Sequence, residues 1–100
     1  MTEPTVQDRP DQRRFVLEVD GHEAELEYRL VDGQLRLVHT GVPEELGGRG
    51  LGGLLVRAAV ERAEAERLTI VPWCPFARSW LEKHPDDAAR VTIDWDLRPS

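Results

Sequence analysis

From Arg13 onward, apolar and polar residues alternate along the chain. Phe15, Leu17 and Val19 fall on one face of an extended segment, with Arg14 and Glu18 on the other. Asp20-Gly21 is a tight hairpin signal. Ala24, Leu26, Tyr28 and Leu30 then alternate with Glu23, Glu25, Glu27 and Arg29, the pattern of a half-buried strand. Asp32-Gly33 repeats the turn, and Leu35, Leu37 and His39 continue the inward phase. The first 40 residues therefore predict an antiparallel three-stranded meander. The three outward glutamates read as a solvated face.

The period changes after Thr40. Gly50 to about Arg67 carries Leu51, Leu54, Leu55, Ala58, Ala59 and Ala63 on one broad face, with Arg57, Glu61 and Glu64 opposite. That is an amphipathic helix. Leu68 to Val71 follows as a short buried strand, and a strand–helix–strand order favours parallel pairing. Pro75 suits the first position of a second helix carrying Phe76, Ala77, Trp80 and Leu81, which His84-Pro85 stops. Val91, Ile93 and Trp95 alternate once more as a last strand. The expected fold is α/β with a mixed sheet: meander, crossover helix, parallel strand, short helix and final strand.

Residues 1–12 are polar, contain Pro4 and Pro10 and show no period, so they predict a flexible tail before a single domain at 13–97. Arg98 to Ser100 reads as a frayed end. A net charge of −6 argues against general nucleic-acid binding and against anionic membranes. It is compatible with a basic acceptor. One cysteine cannot form an intramolecular disulfide, and no signal peptide or 18-residue apolar run is expected. These features point to the cytoplasm. Twelve arginines against one lysine suit a GC-rich bacterial genome.

Five glycines crowd residues 47–53, between the third strand and the first helix. A glycine-rich turn into a helix start leaves N–H groups free at the positive end of the dipole, a site for phosphate. The plain alternative is a turn that needs glycine only for its backbone angles. A P-loop is excluded, because the only lysine is Lys83. Gly48, Gly50 and Gly53 formally spell a dinucleotide fingerprint, but it follows three strands and lacks the later acidic residue. A third pattern fits. Residues 47–52 resemble the pyrophosphate loop of the GNAT N-acetyltransferases, written Q/R-x-x-G-x-G/A. Gly50 and Gly52 match its small positions and Leu54-Leu55 its apolar pair; Gly47 replaces the usual polar residue, with Arg49 nearby.

Cys74 is the second chemical candidate. It follows the strand ending at Val71 and precedes Pro75, which places it at a helix start among free N–H groups. Lone cysteines are also common as small buried hydrophobes. The segment Val71 to Ala77, with Trp80-Leu81, His84-Pro85 and His39 to Pro43, is similar to a small single-domain GNAT subfamily of the YjdJ type. The resemblance covers about Phe15 to Pro85 and implies acetyl-coenzyme A (acetyl-CoA) as cofactor. It implies that Gly48 to Gly52, with Gly47, Arg49 and Leu51, hold the pyrophosphate. Thr40, Gly41 and Val42 would pair with the pantetheine arm as an added strand does. Cys74, beside Pro75, would sit near the thioester as nucleophile, acid or channel lining.

His39 is the candidate base, since an amine with a pKa of about 10.4 must lose a proton before it attacks. The alternative is a histidine bonded beneath the sheet. His22 and His84 read as structural or solvated. Histidines and cysteine lack zinc spacing, so no metal is implied. The leading reading is transfer of acetyl to an amine on an open acceptor side, the amine carried by a protein, a peptide or another molecule. Its rivals are a non-catalytic acyl-CoA binding module and an interaction domain without ligand.

Overall fold

A computed structural model describes residues 5–97. Six strands form one sheet in sequence order: β1 (Gln7–Arg9), β2 (Arg14–Val19), β3 (His22–Val31), β4 (Gln34–Gly41), β5 (Thr69–Pro72) and β6 (Thr92–Ile93). β1 to β4 are antiparallel, and β4–β5 and β5–β6 are parallel. The crossovers are α1 (Leu51–Glu66) and then α2 (Pro75–Lys83) with the short α3 (Pro85–Ala88). The expected order stands, with one strand added at the edge of the meander.

That added strand is a correction. Gln7 to Arg9 lies in the segment expected to be a tail, yet it pairs with Arg14 to Val16. Side chains explain it better than propensity. The Tyr28 hydroxyl donates to Asp8 Oδ1 at 2.6 Å, and Arg62 on α1 donates to Asp8 Oδ2 at 2.9 Å and to the Tyr28 oxygen at 2.8 Å. Two elements far apart in sequence, β3 and α1, thus fasten β1 in place. The outer parts of the expected tail and frayed end, residues 1–4 and 98–100, lie outside the described residues.

Both hairpins turn on Asp-Gly with φ positive at each residue: 52° and 77° at Asp20 and Gly21, 49° and 77° at Asp32 and Gly33. This is the primed turn that matches strand twist. The β3–β4 ladder then slips once. Tyr28 faces Leu37 but Glu27 faces His39, so Val38 is an extra residue on β4. A bulge of this kind reverses the side-chain phase beyond it. The predicted inward position of His39 is therefore wrong. His39 is exposed and shares the outer face with Glu25 and Glu27, while Thr40 turns inward opposite Leu26.

The core fills the space between the sheet and α1. Leu17, Leu26, Leu35 and Leu37 from the strands meet Leu55, Val56, Ala59 and Val60 from the helix, all fully buried. α1 ends on Arg67 in the left-handed conformation, a residue beyond Glu66. α2 packs on α1, β4 and β5, and α3 touches both helices, so the helices share one face. The outer face carries Arg14, Glu18, Glu23, Glu25, Glu27 and Arg36, with no helix over it among the described residues. No helix of the described residues is long and apolar enough to cross a membrane.

Candidate functional site

β4 and β5 separate partway along their length. Their pairing runs from Gln34 opposite Thr69 to Leu37 opposite Pro72. Proline has no N–H to continue the ladder, and the bulge at Val38 bends β4 at the same level. One last bond, from the Cys74 N–H to the Leu37 carbonyl at 2.8 Å, closes the pairing. Past it, β4 is paired on its β3 side through Gly41. The edge at Thr40 and Gly41 that would face β5 is open.

The loop from β4 to α1 borders this gap. A single 3-10 turn at Glu44–Leu46 drops Leu46 into the core at 1% exposure, which anchors the loop. Gly48 and Gly50 then take φ of +80° and +71°, conformations that disfavour other residues. Gly50 caps α1 with its backbone only, and the N–H groups of the first turn have no intrahelical partner. The two later glycines serve a different purpose. A Cβ at Gly52 would lie 2.6 Å from the Phe76 ring, and one at Gly53 would lie 2.5 Å from Trp80 Nε1. They let α2 approach α1. Two of the five glycines thus serve helix packing.

A cleft of about 410 Å³ lies along the loop and the open edge. Of the predicted residues, Thr40, Val42, Gly47, Gly48, Gly50, Leu51 and Gly52 line it. Gly41 faces the other side, beside Glu25 and His39. Arg49 points away and pairs with Asp20 at 3.1 Å, both well exposed. Glu44 and Phe76 line the cleft and were not predicted. Phe76 is 45% exposed directly after the helix start, and that exposure of a large aromatic is the signal that singles it out.

Cys74 occupies the N-cap of α2 with Pro75 following, as the spacing predicts. The residue is 4% exposed, and its sulfur lies 3.2 Å from Thr40 Oγ1. Cys74 therefore sits behind Thr40 at the closed end of the gap rather than in the cleft wall. His39 and Cys74 are on opposite faces of the sheet. The His39 ring leans along the outer face, its Nε2 beside Gly41. His22 begins β3, and His84 follows the end of α2. Among the described residues no three His, Cys, Asp or Glu side chains gather as metal ligands would.

Residues 14–91 match the GCN5-related N-acetyl-transferase family. The chain belongs to that family. It is also similar to the solution structure of a Staphylococcus aureus protein described as GCN5-like, with a proposed N-acetyltransferase role. The two share 32% identity over 96% of each chain, with a TM-score of 0.69. Family membership carries acyl transfer as the chemistry to which this fold belongs. The gap between β4 and β5, the left-handed glycines and the cleft lie together at one edge of the sheet. The residues present fit acetyl-CoA, the family's usual donor: backbone donors at one end of the cleft, an open strand edge along it, a sulfur and a hydroxyl at the closed end.

Proposed function

We propose that the protein is an acetyl-CoA-dependent N-acetyltransferase of the small single-domain type, acting in the cytoplasm on an amine carried by a large or exposed acceptor. The parting of β4 and β5 after Leu37 and Pro72 carries this reading, because it leaves main-chain groups at residues 40–42 free to pair with an amide-bearing arm. The first-turn N–H groups of α1, with Gly48 and Gly50, receive the pyrophosphate. Acetyl-CoA supplies the activated acyl carbon as a thioester.

The two faces of the sheet divide the remaining work. The acceptor reaches the gap from the bare outer face, where His39 accepts the proton that the ammonium loses. The amine nitrogen bonds to the acyl carbon, the carbon–sulfur bond breaks, and the second proton shed by the nitrogen passes through water to replace the one that the Thr40–Cys74 pair gives up. On the helix side the Thr40–Cys74 pair gives a proton to the departing sulfur, in direct transfer. The alternative, a module that binds acyl-CoA without turnover, keeps the same cleft and lacks only the second half.

Calorimetry with CoA, followed by turnover of acetyl-CoA against a panel of amines and peptides, tests this. Gly50→Val should fold and lose at least about tenfold in CoA affinity, since a β-branched residue is strained at φ +71° and its side chain would occupy the open space over the loop that the pyrophosphate enters. Unchanged affinity in the folded variant would reduce the loop to a turn.

A further inference from the structure

The outer face of the sheet changes sign along β3 and β4. Beside the gap, Glu27 stands opposite His39. Two positions nearer the turn on β3, Arg29 stands opposite Arg36, and both point to the outer side, away from the buried Tyr28 and Leu37. Like charges directly opposite across a ladder repel. Elsewhere the chain answers its guanidinium groups with carboxylates: Arg14, Arg62 and Arg90 each meet one at 2.8–2.9 Å. Arg29 and Arg36 meet none among the described residues. An anion from outside completes such a pair.

Arg36 is also held still, and by neutral groups alone. Its Nε and Nη2 donate to Gln34 Oε1 at 3.0 and 2.8 Å. Its guanidinium carbon lies 5.1 Å from the centre of the Trp73 ring, a contact that leaves the charge intact. The indole is fixed in turn, since its Nε1 donates to the Leu97 carbonyl at 2.8 Å. Gln34 takes the Nε side of the guanidinium. The Nη1–Nη2 end remains, and its two parallel N–H groups suit a carboxylate.

This fork stands where an acceptor must pass. Arg36 is opposite Val71, one step before the last paired position, Leu37 opposite Pro72. Trp73 follows directly. Fork and indole therefore flank the closed end of the gap on its outer side. His39 lies three positions further along β4, roughly 10 Å at about 3.3 Å per residue.

From a cation pair without a counter-ion and a pre-positioned fork beside the gap, we infer that the acceptor carries a carboxylate within about 10 Å of its amine. Arg36, with Arg29 across the ladder, holds that carboxylate on the outer face, and the amine enters the gap beside His39 and Glu27. The two arginines select and orient the acceptor and take no part in the bond changes. The inference rests on the acetyl-transfer reading and narrows its substrate. The carboxylate belongs to a small amino acid or to an acidic side chain near a lysine.

Turnover of acetyl-CoA with matched acceptors tests this. One pair is 6-aminohexanoate and 6-aminohexanamide; the other is the end-blocked tripeptides lysyl-alanyl-glutamate and lysyl-alanyl-glutamine. Within each pair only the carboxylate changes. In the wild type, kcat/KM should favour the carboxylate member of at least one pair by about tenfold or more, the scale of a charge-assisted bond. The pair with the larger ratio identifies the source. Arg36→Gln should abolish the ratio, and Arg36→Lys, which keeps the charge without the fork, should keep part of it. A ratio within one preparation is not mimicked by a variant that folds less well. If the wild type uses both members of each pair equally, or Arg36→Gln keeps the ratio, the inference fails and acetyl transfer stands. If no amine is acetylated, the inference falls together with the proposed function.

Discussion

The two ends of α1 are built on opposite terms. Its C-terminal half is fully engaged: Val56, Ala59, Val60 and Ala63 are buried, and Arg62 reaches Asp8, Tyr28 and Glu66 at 2.8–2.9 Å. Its N-terminal end buries Leu51 but has no side-chain cap, and two left-handed glycines and a cleft stand where polar partners would be. Polar groups are satisfied internally where the chain must stay folded. They are left available where it is to meet something else. Under the proposed function, stability and chemistry can thus be perturbed separately in a helix of 16 residues.

The largest expected effect tests the open end. Cys74→Ala should reduce turnover of acetyl-CoA by at least about 100-fold, the scale of losing a positioned proton donor, while CoA binding and Tm stay close to wild type. Wild-type turnover in that variant would leave Cys74 as packing. Next is the boundary between the two ends. Gly53→Ala should destabilise the protein by about 2 kcal/mol in a denaturant titration, because a methyl 2.5 Å from Trp80 Nε1 must push α2 outward. An unchanged midpoint would mean that α2 yields freely.

The smallest effect tests the closed end. Tyr28→Phe should cost about 1 kcal/mol, since Asp8 and Arg62 still pair after the hydroxyl is gone, and should leave turnover intact. It should also change the alkaline limb. Burial first, then the hydrogen bond to the Asp8 carboxylate, pushes the Tyr28 hydroxyl up to about 12, with Arg62 pulling the other way. The folded chain keeps a proton that the unfolded chain releases near its ordinary value of about 10. This contribution is complete below about pH 10 and is lost as pH rises toward 12. Tyr28 is the chain's only tyrosine, so its absorbance reports the titration cleanly. A Tyr28→Phe variant with the same alkaline slope would remove the claim.

Much of this architecture is legible in the sequence because the code is local. Two Asp-Gly turns, period-two strands, a broad helical face and Pro75 each announce an element within a few residues. β1 is not legible in that way. Gln7-Asp8-Arg9 carries no apolar period, and its partners Tyr28 and Arg62 lie 20 and 54 residues from Asp8. The glycine run gives the loop but not its division of labour, since Gly52 and Gly53 are explained only by the aromatic side chains of α2. The Thr40–Cys74 contact spans 34 residues and depends on a bulge that no glycine or proline marks. Val38 is an ordinary strand residue in an ordinary apolar run.

That unremarked valine changes the parity of β4. Before it, the odd positions Leu35 and Leu37 look toward the helices; after it, the even positions Thr40 and Val42 do. With strict alternation restored, Thr40 would turn its back on Cys74, and His39 would be driven into the oily layer beneath α1. Adjacent side chains are instead assigned to opposite compartments of one wall, and the assignment is made by the position of a single supernumerary residue. Moving that residue two places nearer the turn would leave Thr40 and His39 where they are but push Leu37 out of the core. The location of the bulge is therefore the narrow solution that keeps the floor of the protein intact and still sorts Thr40 and His39 to different rooms.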